Sequence, residues 1–244
     1  MCIRDRNNYS GSKALKTSVT SASNRSDTMK TTFIGDGMDL YSVCGPTTGI
    51  QVIAIRDTTQ AKQSNGLYPL VKSYVIDTFY NDTNFAGPLY QVPILRFEGE
   101  YKKYELEVTS AYLSIAGALK TQSAESAVID ENGIISYTNV FTNDEESAIL
   151  SELGFEELIG TDVEFVWFSQ DSVLNGGKGA QGVDDGAFTT QAVTSLDCYI
   201  DGIRVYHPGG DNMDSYYKDS EKGAKYYNVF DNMKAGKFTG SGIS

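Results

Sequence analysis

Apolar and polar residues alternate in short runs along most of the chain. In KYELEVT, Tyr104, Leu106 and Val108 fall on one side, and Lys103, Glu105 and Glu107 on the other. A period of two marks a strand with one buried and one wet face. Similar runs, rich in Val, Ile, Tyr and Phe, occupy 13–20, 28–34, 38–43, 50–57, 67–80, 89–97, 103–112, 162–169 and 196–206. Clusters of Gly, Pro, Asn and Asp separate them, as turns require. The pattern switches to a helix over about 143–153 (NDEESAILSEL), where Asn143 is a cap, acids fill the first turn and Gly154 is a stop. A weaker helical stretch over 213–233 is interrupted by Gly223.

Many short strands with turns between them predict a mainly β chain, an antiparallel jelly-roll-type β-sandwich over 7–208. The segment 113–195 reads as a long insertion carrying the helix, and 209–244 as a connector or the start of a following module. If consecutive strands run up and down, the loops 44–49, 81–88 and 113–195 gather at one end, and 58–66 and 98–102 at the other.

The formal net charge of -12 opposes binding to nucleic acid or to an anionic membrane surface. No apolar run reaches the roughly 18 residues of a membrane-spanning helix. The opening MCIRDR, Met1 to Arg6, reads as translated sequencing adapter, and the chain as a fragment of something longer. Apart from Cys2, the cysteines are Cys44 and Cys198. They form either one disulfide near the first end or two buried thiols, and no CxxC or Cys/His cluster suggests zinc.

FIGDGMDLYSVCGPTTG, beginning at Phe33, carries glycines at both ends. Gly35 and Gly37 lack the third glycine of a dinucleotide fingerprint, so a bend or bulge is the expected role. Pro46 and Gly49 fit a tight turn. In YIDGIRV, Asp201 shares a face with Tyr199, Ile203 and Val205. A carboxylate there is buried and must be hydrogen-bonded, which points to a structural tie, with a metal or catalytic role as the alternative. Trp167 lies in EFVWF and reads as core.

Sugar recognition needs flat aromatic faces and polar groups for hydroxyls. Tyr80, Asn81, Asp82, Asn84, Phe85 and Tyr90 supply both at the 81–88 loop and are the candidate ligand residues. Catalytic motifs are lacking: His207 is the single histidine, with no G-x-S-x-G or H-E-x-x-H. Paired carboxylates of a glycoside hydrolase stay open, because the 32 acids allow many pairs.

The order of FIGDGMDLYSVCGPTTGIQVIAI, VIDTFY, LYQVPILRFEGEYKKYELEVTSAY and CYIDGIRVY resembles galactose-binding-like, carbohydrate-binding-module-like β-sandwiches. Such modules recur in large secreted or cell-wall proteins of Gram-positive anaerobes. The resemblance covers about 30–112 and 196–208, and the 113–195 excursion exceeds the short link expected there. It implies a non-catalytic extracellular or cell-surface module that binds a glycan or cell-wall polymer, beside neighbouring modules of the same chain. A spacer or adhesin repeat, and a domain of a glycoside hydrolase, are the alternatives. It also implies that a structural calcium ion is possible. The oxygen-rich clusters Asp36/Asp39, Asp130–Gly133 and Asp184–Gly186 are raw material for it, though none has EF-hand spacing and no ligand set is assigned.

Overall fold

The computed structural model describes residues 14–81, 87–114, 126–129, 134–139, 141–182, 195–206 and 225–227. The chain is mainly β. Its strands are β1 (Leu15–Thr20), β2 (Met29–Cys44), β3 (Ile50–Asp57), β4 (Leu70–Asp77), β5 (Leu89–Ala111), β6 (Ser126–Ile129), β7 (Ile135–Asn139), β8 (Val163–Trp167), β9 (Ser195–Ile200), β10 (Gly202–Tyr206) and β11 (Lys225–Tyr227). Among the described residues one α-helix, α1, spans Asn143–Leu153. A large sheet has the order β11-β10-β2-β5-β3-β4-β8-β7-β6, and β1 and β9 form a two-stranded sheet.

The runs 28–34 and 38–43 are a single strand, β2, and 89–97 and 103–112 are a single strand, β5. Both turn a corner at the same place. Gly35 pairs with Lys102 and Gly37 with Glu98, so Asp36 alone stands opposite Gly99, Glu100 and Tyr101. A bulge of this kind bends the strand and changes which residues face inward. Phe33 before the corner, and Met38 and Leu40 after it, all enter the same core. The corner folds the large sheet into two facing layers. One holds the first half of β5, the second half of β2, β10 and β11. The other holds the remaining halves with β3, β4, β8, β7 and β6.

Between the layers lies a core that includes Phe33, Ile53, Ile76, Phe97, Tyr104 and Ile203. The rings of Phe33 and Tyr104 stack 5.3 Å apart, and Phe97 meets Tyr104 edge-on at 5.2 Å. A second core, on the outer face of β3, β4 and β8, takes Ile50, Val52, Val75, Phe165 and Trp167 beneath Ile149, Leu150 and Leu153 of α1. Every residue of β3 is buried, because its two faces serve different cores. Trp167 is fully buried, as its apolar surroundings in the sequence predict.

The ladders are antiparallel except β4/β8, which is parallel. The chain between Asp77 and Val163 is long enough to re-enter the sheet in the same direction, as parallel pairing demands. Helix α1 has the predicted bounds but a different cap. Thr142 accepts from the Glu145 N–H, and the Glu145 side chain returns to the Thr142 N–H, a reciprocal capping box. Gly154 closes the helix in the left-handed conformation, φ 78°.

The up-and-down reading gathers loops at two ends; 98–102 is instead part of β5, and 82–86 lie outside the described residues. At one, the N–H of Tyr80 reaches the Gly45 carbonyl, that of Gly49 reaches Asp197, and the Gln181 side chain donates to the Leu113 carbonyl. At the other, the N–H of Thr58 reaches the Lys103 carbonyl. Residues 225–227, inside the weak helical stretch 213–233, form strand β11 against β10. The Tyr226–Tyr227 pair favours a strand, and the rest of 213–233 lies outside the described residues.

Candidate functional site

A groove of 460 Å³ opens between the two layers. Asp39 and Tyr41 of β2, Arg204 of β10, and Pro93 and Arg96 of β5 line one side. Tyr74 of β4, Glu164, Val166 and Phe168 in and after β8, and Ser136 and Thr138 of β7 line the other. The period-two register brings the first set together. Asp39 stands opposite Arg96 on β5 and opposite Arg204 on β10, while Met38 and Leu40 point to the core.

Asp39 is 1% exposed and is held at both oxygens. Arg96 donates through Nε to Oδ1 at 2.9 Å and through Nη2 to Oδ2 at 3.3 Å, a two-point guanidinium–carboxylate pair. The Tyr206 hydroxyl donates to Oδ2. Arg96 also lies over the Tyr206 ring, 5.8 Å from its centre. The Arg96 side chain is 55% exposed, so its charge is presented to solvent while its position is fixed from beneath. Burial, with the Asp39 charge behind it, raises the Tyr41 hydroxyl pKa, and the neighbouring Arg204 opposes that shift. Burial raises the Tyr74 pKa as well, and its hydroxyl donates to the Arg96 carbonyl across the groove at 3.4 Å. Both phenols therefore stay neutral and remain donors at physiological pH. The groove offers aromatic surface, neutral hydroxyls, a fixed guanidinium and the carboxylate of Glu164.

Of the residues expected at the 81–88 loop, Tyr80, Asn81 and Tyr90 are described. Tyr80 is half-buried and packs against the inter-layer core. Asn81 is exposed, and Tyr90 is half-buried at the start of β5. Asp82, Asn84 and Phe85 lie outside the described residues. The following Gln91 has φ 56°, a left-handed conformation at the bulge between β5 and the end of β2.

Asp201 is fully buried at the junction of β9 and β10, with its N–H bonded to the Tyr41 carbonyl at 2.9 Å. A Cβ on Gly35 would lie 2.3 Å from the Tyr206 carbonyl oxygen, and one on Gly37 2.6 Å from that of Phe97. A Cβ on Gly49 would meet the Leu196 side chain at 2.8 Å. Cys44 and Cys198 are free and buried, so the two-thiol alternative holds. Burial pushes the Cys198 thiol to about 12 and the Cys44 thiol well above its ordinary value.

Among the described residues no group of three His, Cys, Asp or Glu side chains is placed to hold a metal ion. Asp39 is instead held by Arg96 and Tyr206, and the clusters Asp130–Gly133 and Asp184–Gly186, like His207, lie outside the described residues. Among the described residues no helix is long and apolar enough to cross a membrane.

The groove residues Tyr41, Tyr74, Arg96 and Arg204 were not singled out from the sequence. For Tyr41, Arg96 and Arg204 the signal lies in MDLYS, ILRF and GIRVY, which each place a charged or hydroxyl-bearing residue between apolar neighbours. What the sequence lacks is the register that sets them side by side. No family model, no curated protein and no solved structure matches this chain.

Proposed function

We propose that this chain is a non-catalytic binding module that recognises a carbohydrate polymer in the inter-layer groove, as part of a larger secreted or surface protein. One observation carries the reading. A 460 Å³ groove combines phenol rings, neutral hydroxyl donors and an anchored guanidinium, which together match the alternating apolar faces and hydroxyls of a sugar. Asp39 orients Arg96 and is saturated by it, which fits a binding role better than proton transfer. A groove open to water gives weak affinity, in the μM–mM range, or roughly 4–8 kcal/mol.

Affinity electrophoresis of the chain through gels containing neutral, uronic-acid and amino-sugar polysaccharides tests this. Retardation by at least one polymer, lost in Tyr41→Ala and Arg96→Ala, is expected. Migration unaffected by every polymer sinks the reading and leaves the spacer role. Retardation that both variants retain moves the binding surface elsewhere, with the 81–88 loop next in line.

A further inference from the structure

The inter-layer groove carries charge on both walls. Arg96 and Arg204 stand on one, with Asp39 between them, and Glu164 stands on the other. Asp39 is opposite both arginines in register, and its oxygens are taken by Arg96 and Tyr206. That wall therefore presents two guanidiniums over one buried carboxylate. The Glu164 side chain is 43% exposed. Lys72 Nζ lies 3.7 Å from it but closer to Asp162, at 2.9 Å, so one ammonium is shared between two carboxylates. Glu164 keeps negative charge on its side of the groove.

Fixed charges of opposite sign on facing walls act against a charged polymer of either sign. A polyuronate that brings its carboxylates to Arg96 and Arg204 also lies against Glu164. A chain of ammonium groups drawn to Glu164 lies against the two arginines. In a slot partly closed to water, such a like-charge contact is screened less than on an open surface. The net charge of -12 adds to the first effect, since its field opposes the approach of any polyanion. A neutral sugar meets neither cost. Its hydroxyls accept from the guanidiniums and from the Tyr41 and Tyr74 hydroxyls and donate to Glu164, while Pro93 and Phe168 offer apolar surface to its ring.

We propose that the groove selects uncharged glycans, and that Glu164 is the residue that turns polyuronates away. This rests on the glycan reading of the groove and adds the class of sugar to it. Glu164 acts here by repelling the competitor, as specific sites commonly do, beside the hydrogen bond it gives the favoured ligand.

Affinity electrophoresis of the whole chain through gels containing β-glucan, galactomannan, polygalacturonate or glycol chitosan, at about 20 and about 300 mM salt, tests it. At least one neutral polymer should retard the chain equally at both salts. Polygalacturonate should need at least about tenfold more polymer for the same retardation, and at the higher salt so should glycol chitosan. Glu164→Gln should narrow the polygalacturonate gap about fivefold, the weight of one like-charge contact near a protein surface. Glu157→Gln makes the same change of net charge outside the groove lining and should leave the gap as it is. Stronger retardation by polygalacturonate, or by glycol chitosan at high salt, than by either neutral polymer overturns the selection while the glycan reading stands. So does neutral-polymer retardation that fades with salt, or a gain in Glu164→Gln no larger than that in Glu157→Gln. Migration unaffected by every polymer removes the glycan reading, and this proposal with it.

Discussion

Asp57 closes β3 at the end of the molecule where β2 and β5 turn their corner. Its carboxylate accepts from the Thr59 N–H at 2.8 Å, from the Thr59 hydroxyl, from Gln60 Nε2 at 2.9 Å and from Lys102 Nζ at 3.4 Å. These bonds, that of the Thr59 hydroxyl foremost, outweigh the opposing effect of burial and lower its pKa from 3.8 to about 2. At about 1.36 kcal/mol per pKa unit, the shift corresponds to at most about 2.4 kcal/mol, and screening in this loop brings it to roughly 1–2 kcal/mol. The folded pKa is depressed, so the stabilisation is complete above pH 4 and fades as pH falls toward 2. Urea unfolding of the parent and Asp57→Asn should therefore differ by roughly 1–2 kcal/mol at pH 7 and converge near pH 2. Using the difference between the two proteins cancels every other titrating group. A gap that stays constant from pH 7 to pH 2 would falsify the assignment of this stability to the Asp57 charge.

Gly35→Ala should destabilise by roughly 1–3 kcal/mol in thermal melting, because the added methyl meets the Tyr206 backbone; Gly66→Ala, with positive φ but no neighbour within 4 Å, should cost about 1 kcal/mol. Equal losses at the two sites would remove the crowding argument. Thr142→Ala breaks the capping box of α1 and should cost about 1 kcal/mol in urea unfolding; Asn143→Ala should cost less, and the reverse order would restore Asn143 as the cap. Cys44 and Cys198 should be unreactive toward a thiol reagent in the native protein at pH 8 and react fully in urea, since burial keeps both as thiols. Fast native labelling of either would contradict its burial.

Where one face of a strand meets core and the other water, the sequence is easy to read. KYELEVT shows its side assignment directly, and NDEESAILSEL shows its helix. IQVIAI lacks alternation because both faces of β3 are covered, and its apolar run still marks a strand. The corner is harder. FIGDG and EGEYK look like breaks between strands because glycine and charge interrupt the apolar pattern, yet the same two strands pair on both sides of the register shift there. The β4/β8 pairing joins segments separated by the whole of β5, and no local period encodes such a partner. The groove follows the same rule. Each of its residues sits at a readable strand position, but Asp39, Arg96 and Arg204 meet only through two registers. The cap of α1 lies one residue before the expected Asn143: Thr142 and Asn143 are both good caps, and Glu145 stands at the capping-box spacing from Thr142.

The shared corner has a mechanical consequence. Two stacked sheets joined only by loops can slide or splay, whereas here β2 and β5 run unbroken from one layer into the other, so covalent chain resists both movements. Native-state hydrogen exchange should find the two halves of each strand opening as one cooperative unit, with the α1 side free to open on its own at lower free energy. The groove between the layers then has walls set at a fixed separation before any ligand arrives. A guest would enter a ready-made slot, with little reorganisation to slow its arrival and no closure to delay its departure.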